Sequence, residues 1–295
     1  MQFDPDHLNA LAHILRRGSF ELAAEELSVT PSAISQRIRA LEDRVGAVLI
    51  NRGTPCSATP TGARIAKHAE DIGLLEAQLA RDLGLHGRPR PTVLRIAVNA
   101  DSLSTWFLPA LAQVDGVLFD LVIDDEGHSA DWLKRGDVSA AVTALPKPAA
   151  GCNAYPLGAL RYFATASPGF MARWFAGGVT RETAARAPCQ TYSSKDSLQR
   201  AWLDQHLGAG LHPPAHVVPS TQAFIDAARL GLGWGMNPEA LLGPALHDGS
   251  LATLLEAAPL DVELNWQVSR IMATPLAPLT QAVRRAAATG LRPAA

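Results

Sequence analysis

Residues 19–42 read SFELAAEELSVTPSAISQRIRALE, and this stretch decides the fold of the N-terminal part. Ser19 is predicted to cap a short helix, Phe20 to Leu27, because its hydroxyl can accept an otherwise unpaired backbone N–H. Leu27-Ser28-Val29 reads as a tight turn. Thr30 is a second N-cap, and Pro31 stands at the first helical position, where a missing N–H costs nothing. A helix should then run from Pro31 to about Val45 and stop at Gly46. Helix, short turn, helix is a supersecondary unit whose second helix can enter the DNA major groove. At 100° per residue, Ile34, Ile38 and Leu41 share one inward face of that helix. Ser32, Ser35, Gln36 and Arg39 fall on the outward face. Gln pairs with adenine, Arg with guanine, and Ser with bases or phosphates. Arg37 flanks the core side, where it suits a phosphate or a neighbouring carboxylate. A solvated polar face is the alternative reading of the outward residues.

Working outward, Leu8, Leu11, Ala12 and Leu15 recur at helical spacing and stop before Gly18. Downstream, Val48-Leu49-Ile50 and Ala58-Thr59-Pro60 flank the polar stretch 51–57, which reads as a short hairpin, a wing. Residues 31–67 carry six basic side chains against two acidic ones, a local +4, while residues 1–30 carry −3. The whole chain is nearly balanced, at −2, so any affinity for phosphates is local. From Thr61 or Gly62 a long helix is expected to reach about Leu83. Its Ile65, Ala69, Ile72, Leu75, Leu79 and Leu83 form a stripe resembling a coiled-coil seam. Either that stripe joins two subunits or it packs on its own domain. Residues 84–91, GLHGRPRP, read as a linker.

Beyond residue 92 the pattern changes. VLRIAV, LFDLVI, SAAVTAL and HVVP are short apolar runs, separated by helical stretches at 103–114, 130–135 and 222–230. Strands alternating with helices imply parallel strands and an α/β fold. About 200 residues suggest two lobes with a cleft, and ligands then sit at the carboxyl ends of strands. Asn99, Asp101 and Ser102 follow the first strand; Asp101 is either a pocket residue or a helix cap. Asp124, Asp125 and Glu126 follow the second. Alternation along a continuing strand favours Asp124 and Glu126 over Asp125; a solvated acidic turn is the alternative. With 295 residues, 47% hydrophobic and a mean hydropathy of +0.05, disorder is excluded for most of the chain. No run approaches a spanning helix, and no secretory leader is recognisable. The three cysteines form no pair motif, so neither a disulfide framework nor a zinc site is expected. The motifs of nucleotide-binding and hydrolytic enzymes are missing, so neither catalysis nor a cofactor is expected. A cytoplasmic location fits.

The residues Gly18 to Phe20, Ala23-Ala24, Leu27, Val29 to Ser35, Ile38, Leu41-Glu42 and Gly46 resemble the winged helix of LysR-type transcriptional regulators. Thr59-Pro60-Thr61-Gly62 is similar to the start of that family's linker helix. Ser35-Gln36-Arg37, Thr54-Pro55-Cys56 and residues 97–103, with Trp106, 108–111 and the acidic 124–126, resemble its arginine- and lysine-responsive branch. The resemblance weakens beyond about residue 150.

It implies a winged helix-turn-helix over 1–60, a linker or dimerisation helix and hinge over 61–91, and an effector domain over 92–295. That last part resembles two-lobed periplasmic binding proteins, with lobes at 92–166 plus 268–292 and at 167–267. DNA contacts are then expected from Ser19, Thr30, Pro31, Ser32, Ser35, Gln36, Arg37, Arg39 and Arg52. Effector contacts are expected from Asn99, Asp101, Ser102, Trp106, Asp124, Glu126, Thr143 and Thr221, though Thr143 and Thr221 also read as a strand end and a helix cap. Dimerisation is expected from Ile65, Ile72, Leu75 and Leu79. The implied partners are promoter DNA, a basic amino acid, RNA polymerase and a second or further copies of the chain, as homodimer or homotetramer, with no membrane. The implied role is control of basic amino-acid export or metabolism. A LysR-type regulator of another metabolite, or a ligand-binding protein without DNA, are the alternatives.

Overall fold

The computed structural model describes residues 2–85 and 92–294. Helices α1 (Pro5–Arg17), α2 (Phe20–Glu26) and α3 (Pro31–Val45) close around Leu8, Leu11, Ile14, Ile34, Ile38 and Leu41. The caps are those the sequence predicts. Ser19 Oγ accepts from the N–H of Glu21 and Leu22, and Thr30 Oγ1 from that of Ala33 at 3.1 Å. Gly18 and Gly46 end α1 and α3 in the left-handed conformation.

The wing is shorter than expected, two residues per strand in β1 (Ile50–Asn51) and β2 (Ser57–Ala58). Its second arm is cut short because Thr59 serves the next helix: its hydroxyl accepts from Gly62 N–H at 3.0 Å and donates to the Val48 carbonyl at 2.8 Å. Helix α4 (Pro60–Asp82) therefore opens ahead of Thr61. Gly62 is required there, since a Cβ would lie 1.9 Å from the Leu49 carbonyl oxygen.

Helix α4 splits its apolar residues three ways, which corrects the single seam. Ile65 and Ala66 enter the winged-helix core, and Ala69 and Ile72 pack against it. Leu74 is buried in the core of the following domain. Leu75, Leu79 and Leu83 remain 40%, 58% and 63% exposed. Ile65, at 9% exposure, has almost no surface left for a second chain. Of the linker 84–91, only Gly84 and Leu85 lie among the described residues.

Strand β3 (Thr92–Val98) pairs in parallel with β4 (Val117–Ile123) and β5 (Ala140–Thr143), as the alternation predicts. Between β3 and β4, α5 (Ala100–Ser102) continues through a π-helical turn at Leu103–Phe107 into α6 (Leu108–Leu111). The helical stretch thus begins and ends about three residues earlier than expected. Helix α7 (Ser129–Arg135) connects β4 to β5.

Thereafter antiparallel strands enter that the alternation does not predict. The chain runs β6 (Cys152–Ala166), α8 (Pro168–Trp174), α9 (Arg181–Arg186), β7 (Cys189–Thr191), α10 (Leu198–His206), β8 (Ala215–Val217) and α11 (Thr221–Arg229). Next come β9 (Gly235–Pro238), α12 (Glu239–His247), β10 (Ala252–Thr253), β11 (Pro259–Ser269) and α13 (Ala277–Gly290). Strand β11 pairs antiparallel with residues 152–163 of β6, and the main sheet runs β10-β6-β11-β5-β3-β4, with β9 also on β6. These two long strands carry the chain from the β3–β5 lobe to the other lobe and back. Pro156 and Gly158 interrupt the apolar alternation of β6, which is why it does not read as a strand. A Cβ on Gly158 would lie 2.4 Å from the Arg292 carbonyl oxygen, so close packing requires the glycine. In the second lobe β7 and β8 pair in parallel, over a core centred on Trp202 and Trp234.

Candidate functional site

The first candidate site is the outer face of α3. Ile34, Ile38 and Leu41 are fully buried, which fixes the rotation of the helix. Ser32, Gln36 and Arg39 are exposed and Ser35 is half-buried. Arg37 meets the neighbouring carboxylate, Asp6, at 2.8 Å, and so braces α3 against α1. Arg52, on the wing, lies over the Phe20 ring at 5.1 Å. Ser19, Pro31, Ser32, Ser35 and Arg52 line one shallow groove between α2, α3 and the wing. Glu21 lies in the same groove, and its carboxylate accepts the Ser19 hydroxyl. Thr30 spends its hydroxyl on the helix cap.

The second candidate site is a cavity of about 240 Å³ between the lobes. Ligand pockets for drug-sized molecules span about 300–1,000 Å³, so this one suits a smaller guest. From the first lobe it is lined by Asn99 and Asp101 after β3, and by Asp124, Asp125 and Glu126 after β4. From the second lobe come the segment 192–198, Thr221 and Phe224 of α11, and Asn237 of β9.

Five carboxylates thus face one small space, counting Asp196. Burial raises Glu126 to about 7. Burial also raises Asp101 to about 6, although Tyr162 and Thr221 donate hydroxyl hydrogen bonds to it at 2.9 and 3.1 Å. Asp125 is raised by burial as well, against the hydrogen bond from Ser193. Asp124 is the exception. Burial opposes its charge, but the Lys195 ammonium at 2.6 Å and the Trp132 indole at 2.9 Å prevail and hold it below the usual carboxylate range. Asp196 orders its own loop, accepting from the N–H groups of Tyr192 and Leu198 and from the Gln199 amide. The side-chain oxygens of Asn99 and Asn237, both buried, have no hydrogen-bond partner among the described residues. Buried polar atoms are costly unless paired, so the pocket wall is incompletely satisfied by the protein alone. Among the described residues no group of His, Cys, Asp and Glu is arranged to hold a metal ion.

Asn99, Asp101, Asp124, Glu126 and Thr221 come together in this pocket. Three other expected residues do not line it. Ser102 is fully buried behind it. Trp106 packs edge-on against Phe107 in the core, and Gly290 lies close against its Cβ. Thr143 is fully buried and accepts from the Gln267 amide at 3.0 Å. Asp125 faces the pocket after all, because β4 stops at Ile123 and strand alternation no longer applies. Sequence reasoning missed Tyr162, Ser193, Lys195, Asp196 and Asn237. The only local signal was the polar run 193–197, SSKDS, after an apolar strand.

Comparison with known proteins gives the following. Residues 5–63 match the profile described as bacterial regulatory helix-turn-helix protein, lysR family, and residues 87–291 match the LysR substrate binding domain. The lysine export transcriptional regulatory protein LysG of Corynebacterium glutamicum is 40% identical over 98% of this chain and 100% of that protein. The crystal structure of ArgP from Mycobacterium tuberculosis superposes with a TM-score of 0.78 at 40% identity, covering 99% of this chain and 100% of that one. Full-length LysG from C. glutamicum with bound effector Arg superposes with a TM-score of 0.66 at 38% identity, covering 99% and 100%.

Proposed function

The chain belongs to the LysR family of bacterial helix-turn-helix transcriptional regulators, and on that premise we propose that its effector is L-arginine or L-lysine. The observation that carries this reading is the small pocket ringed by five carboxylates, of which Glu126 and Asp101 are held near 7 and near 6 by burial. A basic amino acid brings two cationic groups, which relieve these carboxylates through charge-assisted hydrogen bonds. A neutral or anionic metabolite would leave Glu126 and Asp101 buried with no cation beside them. The arginine bound to the related LysG supports the same choice.

On this reading Ser32, Ser35, Gln36 and Arg39 read base edges, Arg52 meets the phosphate backbone, Pro31 packs against it, Ser19 and Thr30 cap the helices that face it, and Arg37 holds α3 in place. Leu75 and Leu79, both exposed, join α4 to a second chain, and two or four copies span spaced half-sites on promoter DNA. Ligand binding favours the closed cleft over the open one and so changes how these copies, and RNA polymerase, sit on the promoter. The proposed setting is the cytoplasm and the proposed output is export or metabolism of the same amino acids. The chain acts by binding, without catalysis. The division at residues 60, 91, 166 and 267 is part of this proposal.

The test is calorimetry of the full chain with each of the twenty amino acids. Heat with arginine or lysine and none with the neutral and acidic ones is expected. No heat with either basic amino acid would remove the effector assignment and leave the DNA assignment standing.

A further inference from the structure

Two side chains of the second lobe reach across the cleft to the acidic loop after β4. Lys195 Nζ donates to Asp124 Oδ1 at 2.6 Å, and Ser193 Oγ donates to Asp125 Oδ2 at 3.1 Å. Neither reach is accidental to a floppy loop. Ser193 Oγ also accepts the N–H of Lys195 at 3.0 Å, so one hydroxyl shapes the turn and ties it to the first lobe. Asp196 pins the same turn through the N–H groups of Tyr192 and Leu198. On the other side, Asp124 is fully committed. Its Oδ2 accepts the Trp132 indole at 2.9 Å, and its Oδ1 accepts the Asp125 N–H as well as the ammonium.

We propose that Lys195 and Asp124 form a strap that closes the cleft, and that Asp124 is therefore a closure residue and not a ligand for the effector's cation. The proposal rests on the reading of this pocket as a basic amino-acid site. Its consequence is a division of labour among the acids. Lys195 neutralises Asp124 and repels a second cation from it. The effector's cationic groups are then left to Glu126, Asp101, Asp125 and Asp196, which face the same cavity with no ammonium of the protein beside them among the described residues.

The strap predicts energetic coupling between its two ends. Lys195 is 46% exposed, so the pair is a partly screened one. Pairs of this kind contribute modestly, equivalent to about a two- to fivefold change in an equilibrium constant. Lys195→Met and Asp124→Asn should each weaken arginine binding by that factor. The double variant should be no worse than either, because both remove one interaction. If Asp124 instead holds the effector, Asp124→Asn will weaken binding tenfold or more while Lys195→Met leaves it unchanged or tighter. That outcome overturns the strap.

A second readout needs no amino acid at all. Hydrogen exchange of amides 193–198 in the full chain should speed up in both single variants. The charge-reversed pair, Lys195→Asp with Asp124→Lys, should restore protection. Equal exchange in the wild type and in Lys195→Met overturns the strap. If the wild type binds neither arginine nor lysine, the effector reading falls, and this exchange arm still decides the strap.

Discussion

At the scale of single residues, Glu126 makes a pH-dependent claim. Its carboxyl is raised from 4.5 to about 7, chiefly by burial. The folded chain therefore holds that proton more tightly than the unfolded chain. Between pH 4.5 and 7 folding takes up a proton, so stability falls as pH rises through that window. At about 1.36 kcal/mol per pH unit the loss is at most about 3 kcal/mol. Glu126→Gln keeps the shape and removes the titration. Denaturation of both proteins should show near-equal stability at about pH 4 and the variant more stable at about pH 8. A constant difference across that range would show that Glu126 ionises normally. Gln36 carries a different claim. It is exposed on the helix face opposite Ile34 and Ile38. Gln36→Ala should cost roughly 1–3 kcal/mol on the specific promoter site and less on random DNA. Equal losses on both in gel shifts would make it a backbone contact.

At the scale of elements, α4 shows what a pattern does and does not specify. Its apolar spacing is local and legible. Which part of the stripe is used by the chain itself is set by what folds against it. Ile65 disappears into the winged-helix core, whereas Leu79 stays 58% exposed. Leu79→Glu should therefore leave the fold intact and weaken self-association, since it would bury an unpaired charge in the joint. Light scattering at micromolar concentration that still finds the wild-type oligomer would discard the stripe as an interface. The same contrast runs through the chain. Thr30, Pro31 and Gly46 bound α3 by contacts within a few residues, so that helix was readable to its ends. Strands β6 and β11 were not, because Pro156 and Gly158 break the alternation and the pairing joins residues a hundred positions apart. The acidic side of the pocket was readable because three carboxylates stand consecutively after one apolar run. Tyr162, in the unread strand β6, and Lys195, in a second-lobe loop, meet those carboxylates only through tertiary folding. Trp106 misled because a large aromatic beside a pocket loop also serves as core.

At the scale of the whole molecule, the helix that leads out of the helix-turn-helix domain and the candidate pocket meet on the same strands. Strands β3 and β5 carry pocket loops, or the loops bracing them, at their carboxyl ends. At their other ends α4 is docked. Lys67 of α4 holds Asp71 at 2.5 Å, and Asp71 accepts the Ser139 hydroxyl at 3.0 Å just before β5. Leu74 of α4 is buried in the same core as Leu94 and Ile96 of β3. Glu70, between them, is raised to about 7, first by burial and then by Asp120 and Asp71, while Lys67 and Arg95 pull it back. The Lys67 side chain is only 10% exposed, so its removal leaves two carboxylates poorly compensated. Breaking a buried pair outright costs about 3–5 kcal/mol. This one is partly open on the Asp71 side, so Lys67→Met should cost about 1–3 kcal/mol in denaturant unfolding. Being largely buried, Lys67 is not placed to neutralise a phosphate, and DNA affinity without amino acid should stay within about threefold. Arginine affinity by calorimetry should also hold, because the pocket lies at the far ends of the strands. The response should change: adding arginine should shift the DNA complex less in gel mobility than it does for the wild type. An unaltered response together with unaltered stability would mean that α4 rests on these strands without being coupled through them.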